Sequence, residues 1–78
     1  MNHVELKAPK GKYRVVGIDL FADERYLVGD YDTPEVAIKD TDKNNSERTC
    51  PMDDIYYAYD ENGVRIRANE AGKQGVSP

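Results

Sequence analysis

The stretch Ile55-Tyr56-Tyr57-Ala58-Tyr59-Asp60-Glu61-Asn62-Gly63-Val64-Arg65-Ile66-Arg67 constrains this chain more than any other, because it reads as a β-hairpin. Ile55, Tyr57 and Tyr59 fall on one face of an extended segment, and Tyr56 and Ala58 fall on the other. After the turn, Val64 and Ile66 alternate with Arg65 and Arg67. A four-residue loop from Asp60 to Gly63 sets Tyr59 opposite Val64 and Tyr57 opposite Ile66. That register predicts a buried face of Tyr57, Tyr59, Val64 and Ile66, with Tyr56 and both arginines outside. Gly63 takes the positive φ that ends such a loop, where a Cβ would clash.

Upstream, residues 12–21 hold Tyr13, Val15, Val16, Ile18, Leu20 and Phe21, the types that suit a pleated surface. Both faces of this strand carry apolar residues, so its buried face stays open at this point. Gly17 interrupts it and suggests a bulge. Ala22-Asp23-Glu24 makes the turn. Residues 25–31 return, with Tyr26 and Val28 on one side and Leu27 on the other.

Asp32-Thr33-Pro34-Glu35 is a helix start. Thr33 suits the N-cap, Pro34 the first helical position, and Glu35 the positive end of the helix dipole. The helix is expected to run to about Lys43 or Asn44, with Val36, Ala37, Ile38 and Thr41 inward. Residues 44–53 lack an apolar period and read as a loop.

These elements predict an α+β domain, ββαββ, with a four-stranded, mainly antiparallel sheet and one helix packed on one face. Residues 1–11 form an N-terminal arm, in which residues 3–7 can make a short edge strand. Residues 12–68 form the single domain, and residues 69–78 a disordered tail. This plan resembles small uncharacterised bacterial single-domain proteins, through Tyr13-Arg14-Val15-Val16-Gly17-Ile18-Asp19, Tyr26-Leu27-Val28-Gly29-Asp30, Asp32-Thr33-Pro34-Glu35-Val36-Ala37 and Tyr57-Ala58-Tyr59-Asp60-Glu61-Asn62-Gly63. The resemblance spans residues 12–66 and implies a hairpin-helix-hairpin fold. It brings no activity with it.

Charge narrows the function classes. The net charge of −4 is uneven: residues 18–62 carry 13 acidic and 4 basic side chains. That excess argues against phosphate-backbone binding as the main activity. One cysteine, Cys50, rules out an internal disulfide, and no apolar run is long enough to span a bilayer. A cytoplasmic chain with no membrane partner is the expectation.

No constellation supports catalysis, a metal or a cofactor. Asp40-Thr41-Asp42-Lys43-Asn44 begins like a calcium loop. Asn45 then replaces the required Gly, and Pro51 stands where a bidentate Glu belongs. Asn44-Asn45-Ser46 fits a glycosylation sequon, but nothing in the sequence marks a secreted chain. Asp53-Asp54 and Asp60-Glu61 flank a strand at its solvent ends and read as turn-makers and guards against strand association. Cys50 and His3 lack a nucleophile context, so the thiol is expected to be buried or inert. Gly11-Lys12 lacks the rest of a phosphate loop.

The residues that remain are Arg14, Tyr56, Arg65 and Arg67, expected together on the sheet face away from the helix. An aromatic ring between guanidinium groups can grip an acidic peptide or stack a base. The sequence therefore points to a non-enzymatic module that binds a protein or peptide, or itself, on the open sheet face or along an edge strand. The alternatives are single-stranded nucleic-acid binding on the same face and acidic mimicry of nucleic acid.

Overall fold

The computed structural model describes residues 4–67. His3 and the segment read as a tail lie outside them. The order is β1 (Tyr13–Asp19), β2 (Glu24–Tyr31), α1 (Pro34–Ser46), β3 (Ile55–Tyr59) and β4 (Arg65–Arg67). The strands form one antiparallel sheet in the order β2-β1-β3-β4. The expected ββαββ architecture is therefore the observed one. Because β1 runs antiparallel to both neighbours, β2 and β3 are parallel to each other. Parallel strands need a crossover, and α1 supplies it. Among the described residues, no helix is long and apolar enough to cross a membrane.

The helix begins as its sequence dictates. Thr33 is the N-cap, its Oγ1 accepting from the Val36 N–H at 3.3 Å, and Pro34 follows. The helix continues to Ser46, past the expected stop, because its last turn has a partner in the sheet. Ala37, Thr41 and Asn45, four residues apart, are its buried stripe. Thr41 returns its hydroxyl to the Ala37 carbonyl at 2.9 Å, so its burial leaves no donor unpaired. Val36, expected inward, is exposed.

The helix covers the sheet face opposite to the one the hairpin pattern suggested. Val15 stands across from Ala58, and these two with Ala37 form the buried cluster, edged by Tyr13, Val28, Tyr31 and Ile66. Alternation therefore puts Tyr56 and Ala58 on the helix side and Tyr57 and Tyr59 on the far side. The reason is steric. A helix approaches a sheet closely where side chains are small, and Ala58 meets Ala37 there beside Val15. The glycines of that face, Gly17 and Gly29, lie under the Tyr26 and Tyr31 rings. A Cβ at Gly17 would fall 2.5 Å from the Tyr26 ring, which lies across it. The expected bulge is not at Gly17. It is in β2, where Val15 pairs with Gly29 and Val16 with Leu27, leaving Val28 as the extra residue.

The second hairpin also departs from the simple register. Tyr59 pairs with Arg65 and Ala58 with Arg67, so Ile66 is bulged in β4. The cause is Asp60. Its N–H donates to the Val64 carbonyl at 3.0 Å, and its carboxylate accepts from the N–H groups of Asn62 and Val64. That closure lengthens the loop by one residue. Val64, expected in the core, is 57% exposed, while Ile66 still reaches the buried cluster. Gly63 has the expected positive φ, +80°.

The N-terminal arm is no strand between residues 4 and 11, but it is anchored. The N–H of buried Ala8 donates to the Asp60 carbonyl at 3.1 Å, and the Gly11 N–H donates to the Glu61 carboxylate at 2.6 Å.

The Asn45 side chain ties the helix to the backbone of β3. β4 covers only Ala58 and Tyr59, so the outer edge of β3 is bare at Tyr56. The buried Asn45 side chain fills it: Nδ2 donates to the Tyr56 carbonyl and Oδ1 accepts from the Tyr56 N–H, both at 2.9 Å. Asn45→Ala strands both backbone groups, and we expect a loss of about 2–4 kcal/mol, comparable to the whole stability of so small a domain. Urea denaturation followed by circular dichroism measures it; an unchanged midpoint would show that water replaces the amide at no cost.

Candidate functional site

The four residues selected from sequence do not form one surface. Arg14 and Arg65 lie on the face away from the helix; Tyr56 and Arg67 lie on the helix side. The Tyr56 hydroxyl sits 3.3 Å from that of Tyr26. Tyr26 has one proton and gives it to the ionised Asp54 carboxylate, so Tyr56 is the donor to Tyr26. Burial, with the hydrogen bond it donates to Asp54, pushes the Tyr26 phenol well above its ordinary range. Arg67 is turned inward by the β4 bulge and reaches Asp42 of the helix at 3.3 Å.

The far face assembles a different set. Tyr57 and Tyr59 meet edge to face, with ring centroids 6.5 Å apart and planes at 61°. The Arg65 guanidinium lies over Tyr57, 4.9 Å from the ring centre. Such a contact contributes about 0.5–1 kcal/mol at an exposed site. Arg65 reaches this position because it pairs with Tyr59, whose side chain shares that face. Val16 is fully buried between its cross-strand neighbours Leu27 and Tyr57, and Ile18 and Ile55 pair beside it. Arg25, across from Ile18, completes the set at the β2 side.

The arm closes one end of this face. Arg14 holds Asp30 with two bonds, Nε at 2.8 Å and Nη2 at 3.1 Å, and gives Nη1 to the Glu5 carbonyl at 2.9 Å. These contacts, with the Ala8 anchor, bring residues 5–8 against the Arg14–Tyr59 end, where Tyr59 is only 7% exposed. Burial raises the Tyr59 phenol, and Arg65 opposes that rise. Arg14 is already neutralised by Asp30. Among the described strand residues of this face, the cations left facing outward are Arg25 and Arg65, with Tyr57 as the aromatic platform and Leu27 as an exposed apolar neighbour.

A second concavity, of about 510 Å³, opens between the β1–β2 turn, the helix end and the loop 47–54, and Asp19, Phe21, Glu47, Met52, Asp54 and Tyr56 are on its walls. Its charged groups already hold the loops in shape. Asp19 Oδ1 accepts from the Phe21 and Ala22 N–H groups. Arg48 donates to the carbonyls of Pro51, Asp53 and Asp54. Asp53 accepts from the N–H groups of Thr49 and Cys50 and from the Thr49 hydroxyl.

The remaining sequence candidates resolve plainly. The Asp40–Asn44 run is helical, which turns its side chains around an axis instead of inward on a cation. Asp40 accepts from the Tyr31 hydroxyl at 3.0 Å. Cys50 is exposed, not buried, with Sγ 3.5 Å from Asp53. Asp60 closes its turn, as its sequence context suggests, while the Glu61 carboxylate holds the arm at Gly11. Among the described residues, no group of three or more His, Cys, Asp or Glu side chains is placed to hold a metal. Sequence reasoning missed Asn45, Arg48 and the Tyr57–Tyr59–Arg65 group. The last had a visible signal, since Arg65 becomes a neighbour of Tyr57 once Asp60 is taken into the turn.

No protein family, curated protein or solved structure matches this chain.

The Asp53 ring of donors yields a pH prediction. The Thr49 and Cys50 N–H groups hold its carboxyl at about 2, below the ordinary 3.8. A depressed carboxyl stabilises the fold fully above its unfolded value and loses that contribution as pH falls from 3.8 towards 2. A carboxyl NMR titration should find the Asp53 midpoint near 2. Asp53→Asn should remove that step from the acid-unfolding curve; a native midpoint at the ordinary value would contradict the geometry.

Proposed function

We propose that this protein is a non-enzymatic interaction module whose helix-free sheet face binds an acidic, apolar-containing peptide segment of a protein partner. The observation that carries this reading is the Arg65 guanidinium stacked on Tyr57, beside Tyr59, on the face the helix leaves bare. Charge complementarity selects the occupant. Arg25 and Arg65 are outward cations in a chain of net charge −4. They match one or two carboxylates, while Tyr57, Ile18, Ile55 and Leu27 offer apolar contact. Aromatic and arginine side chains are also the types that most often dominate interface energetics.

Single-stranded nucleic acid is the second reading, favoured by the same stacked pair, since a base can stack on Tyr57. Its weakness is the count of free cations: with Arg14 neutralised by Asp30, few remain for a run of phosphates.

NMR titration with a hexapeptide alternating Glu and Val separates the two, with oligo-dT as the competing probe. The expected result is peptide-induced shifts on Tyr57, Arg65, Arg25 and Leu27. Arg65→Ala should weaken binding about fivefold, or about 1 kcal/mol. Arg67→Ala, on the helix side, should leave it unchanged. Salt-sensitive binding of oligo-dT with no response to the peptide would transfer the face to the nucleic-acid reading.

A further inference from the structure

We infer that residues 4–8 are an internal ligand of the sheet face: they fill one of its three rows in the free chain, and a partner peptide that spans the whole face displaces them. This rests on the sheet-face reading and adds to it a third subsite with a known occupant. Cross-strand pairing divides the helix-free face into rows centred on Arg14, Val16 and Ile18 of β1. The rows of Val16 and Ile18 hold Tyr57, Leu27 and Arg25 of the proposed site. The row of Arg14 holds Tyr59. Tyr59 is buried, although it stands on the same strand and face as half-buried Tyr57. Residues 5–8 lie against that row, through the Arg14 and Asp60 contacts.

The arm is seated as an extended peptide would be. Val4 and Leu6 are half-buried and Ala8 is buried, while Glu5 and Lys7 between them are exposed. Apolar residues alternating with charged ones, one of them acidic, match the chemistry proposed above for the partner. The hydrogen bonds use the arm's main chain: the Glu5 carbonyl accepts from Arg14 Nη1 at 2.9 Å, and the Ala8 N–H donates to the Asp60 carbonyl at 3.1 Å. Any peptide carries those groups, so an incoming segment can replace the arm bond for bond. Arg14 keeps Asp30 through Nε and Nη2 when the arm leaves, and the arm belongs to no strand whose ladder would break. Gly11, with φ +77° and its N–H on the Glu61 carboxylate, is the pivot that stays behind. Tethered next to β1, the arm competes at an effective concentration of about millimolar. It keeps weak ligands off the third row and yields to one that also fills the other two. Rows stand two residues apart along each strand, so three rows span about 13 Å, and an extended hexapeptide of about 20 Å reaches all of them.

NMR titration of the full chain with the hexapeptide alternating Glu and Val, repeated on Leu6→Ser and Ala8→Pro, tests this. Leu6→Ser weakens the apolar seating of the arm, and Ala8→Pro removes the N–H that donates to Asp60. In the native chain the peptide should move the Leu6 and Ala8 amides together with Tyr57 and Arg65. Each variant should bind the peptide about fivefold more tightly, the factor one opposing hydrogen bond is worth, and Tyr59 should then respond as Tyr57 does. A gain in affinity cannot come from a damaged fold. If Ala8→Pro fails to fold, Leu6→Ser, at a half-buried position of the arm, decides alone. Shifts on Tyr57 and Arg65 with equal or weaker affinity in the variants leave the sheet-face reading standing and overturn the internal ligand. A peptide that moves neither Tyr57 nor Arg65 in any of the chains removes both.

Discussion

The whole arrangement depends on the Asn45 carboxamide. It offers one donor and one acceptor in the geometry of a peptide group, and Tyr56 presents the complementary pair. In effect, a helix side chain serves as a one-residue strand at the edge of β3. Three things follow from it. The helix is drawn two residues beyond its expected end. The bare edge of β3 is satisfied where β4 falls short. The helix is also fixed on the Ala58 side, since Asn45 lies on the stripe with Ala37 and Thr41. Buried polar groups stabilise a fold only when fully paired, and this one is.

Once the helix is fixed there, the sheet has two unlike sides. Under the helix lie small residues, with Tyr26 and Tyr31 lying across the glycines and giving their hydroxyls to Asp54 and Asp40. On the far side, bulk comes from Tyr57, Tyr59, Val16 and the aliphatic stems of arginines. A chain with six tyrosines, one phenylalanine and no tryptophan thereby builds two thin apolar layers instead of one thick core. Tyrosine suits this because each ring can be buried while its hydroxyl finds a partner at the margin.

The parts of this fold written in local chemistry were legible in the sequence. Four strands, the Thr33 cap with Pro34, and the positive φ at Gly63 each follow from a few adjacent residues. So did the alternation of Ile55–Tyr59, whose faces are as read. Which face the helix would choose was not legible, because alternation gives two faces and no sign. The choice was made by packing among Val15, Ala37 and Ala58, residues distant in sequence. The same ignorance split the candidate site. Tyr56 and Tyr57 exchanged roles, and Arg67 went to Asp42 because a bulge at Ile66 reversed the phase. Asn45 and Arg48 were invisible because their partners are backbone groups, which every residue carries.

The strand order β2-β1-β3-β4 has a consequence for how the chain reaches its native state. The first hairpin, β1 with β2, can close as soon as its turn exists, since its contacts are local. β1 is nevertheless a central strand, and its other edge belongs to β3, about forty residues later in the chain. Pairings of long sequence separation are slow, because loop closure costs entropy before contacts repay it. A chain growing from its N-terminus therefore carries an unpaired Tyr13–Asp19 edge until Ile55–Tyr59 emerges. The loop-closure cost of the fold is concentrated in that one insertion, and α1 shortens the chain that must be closed.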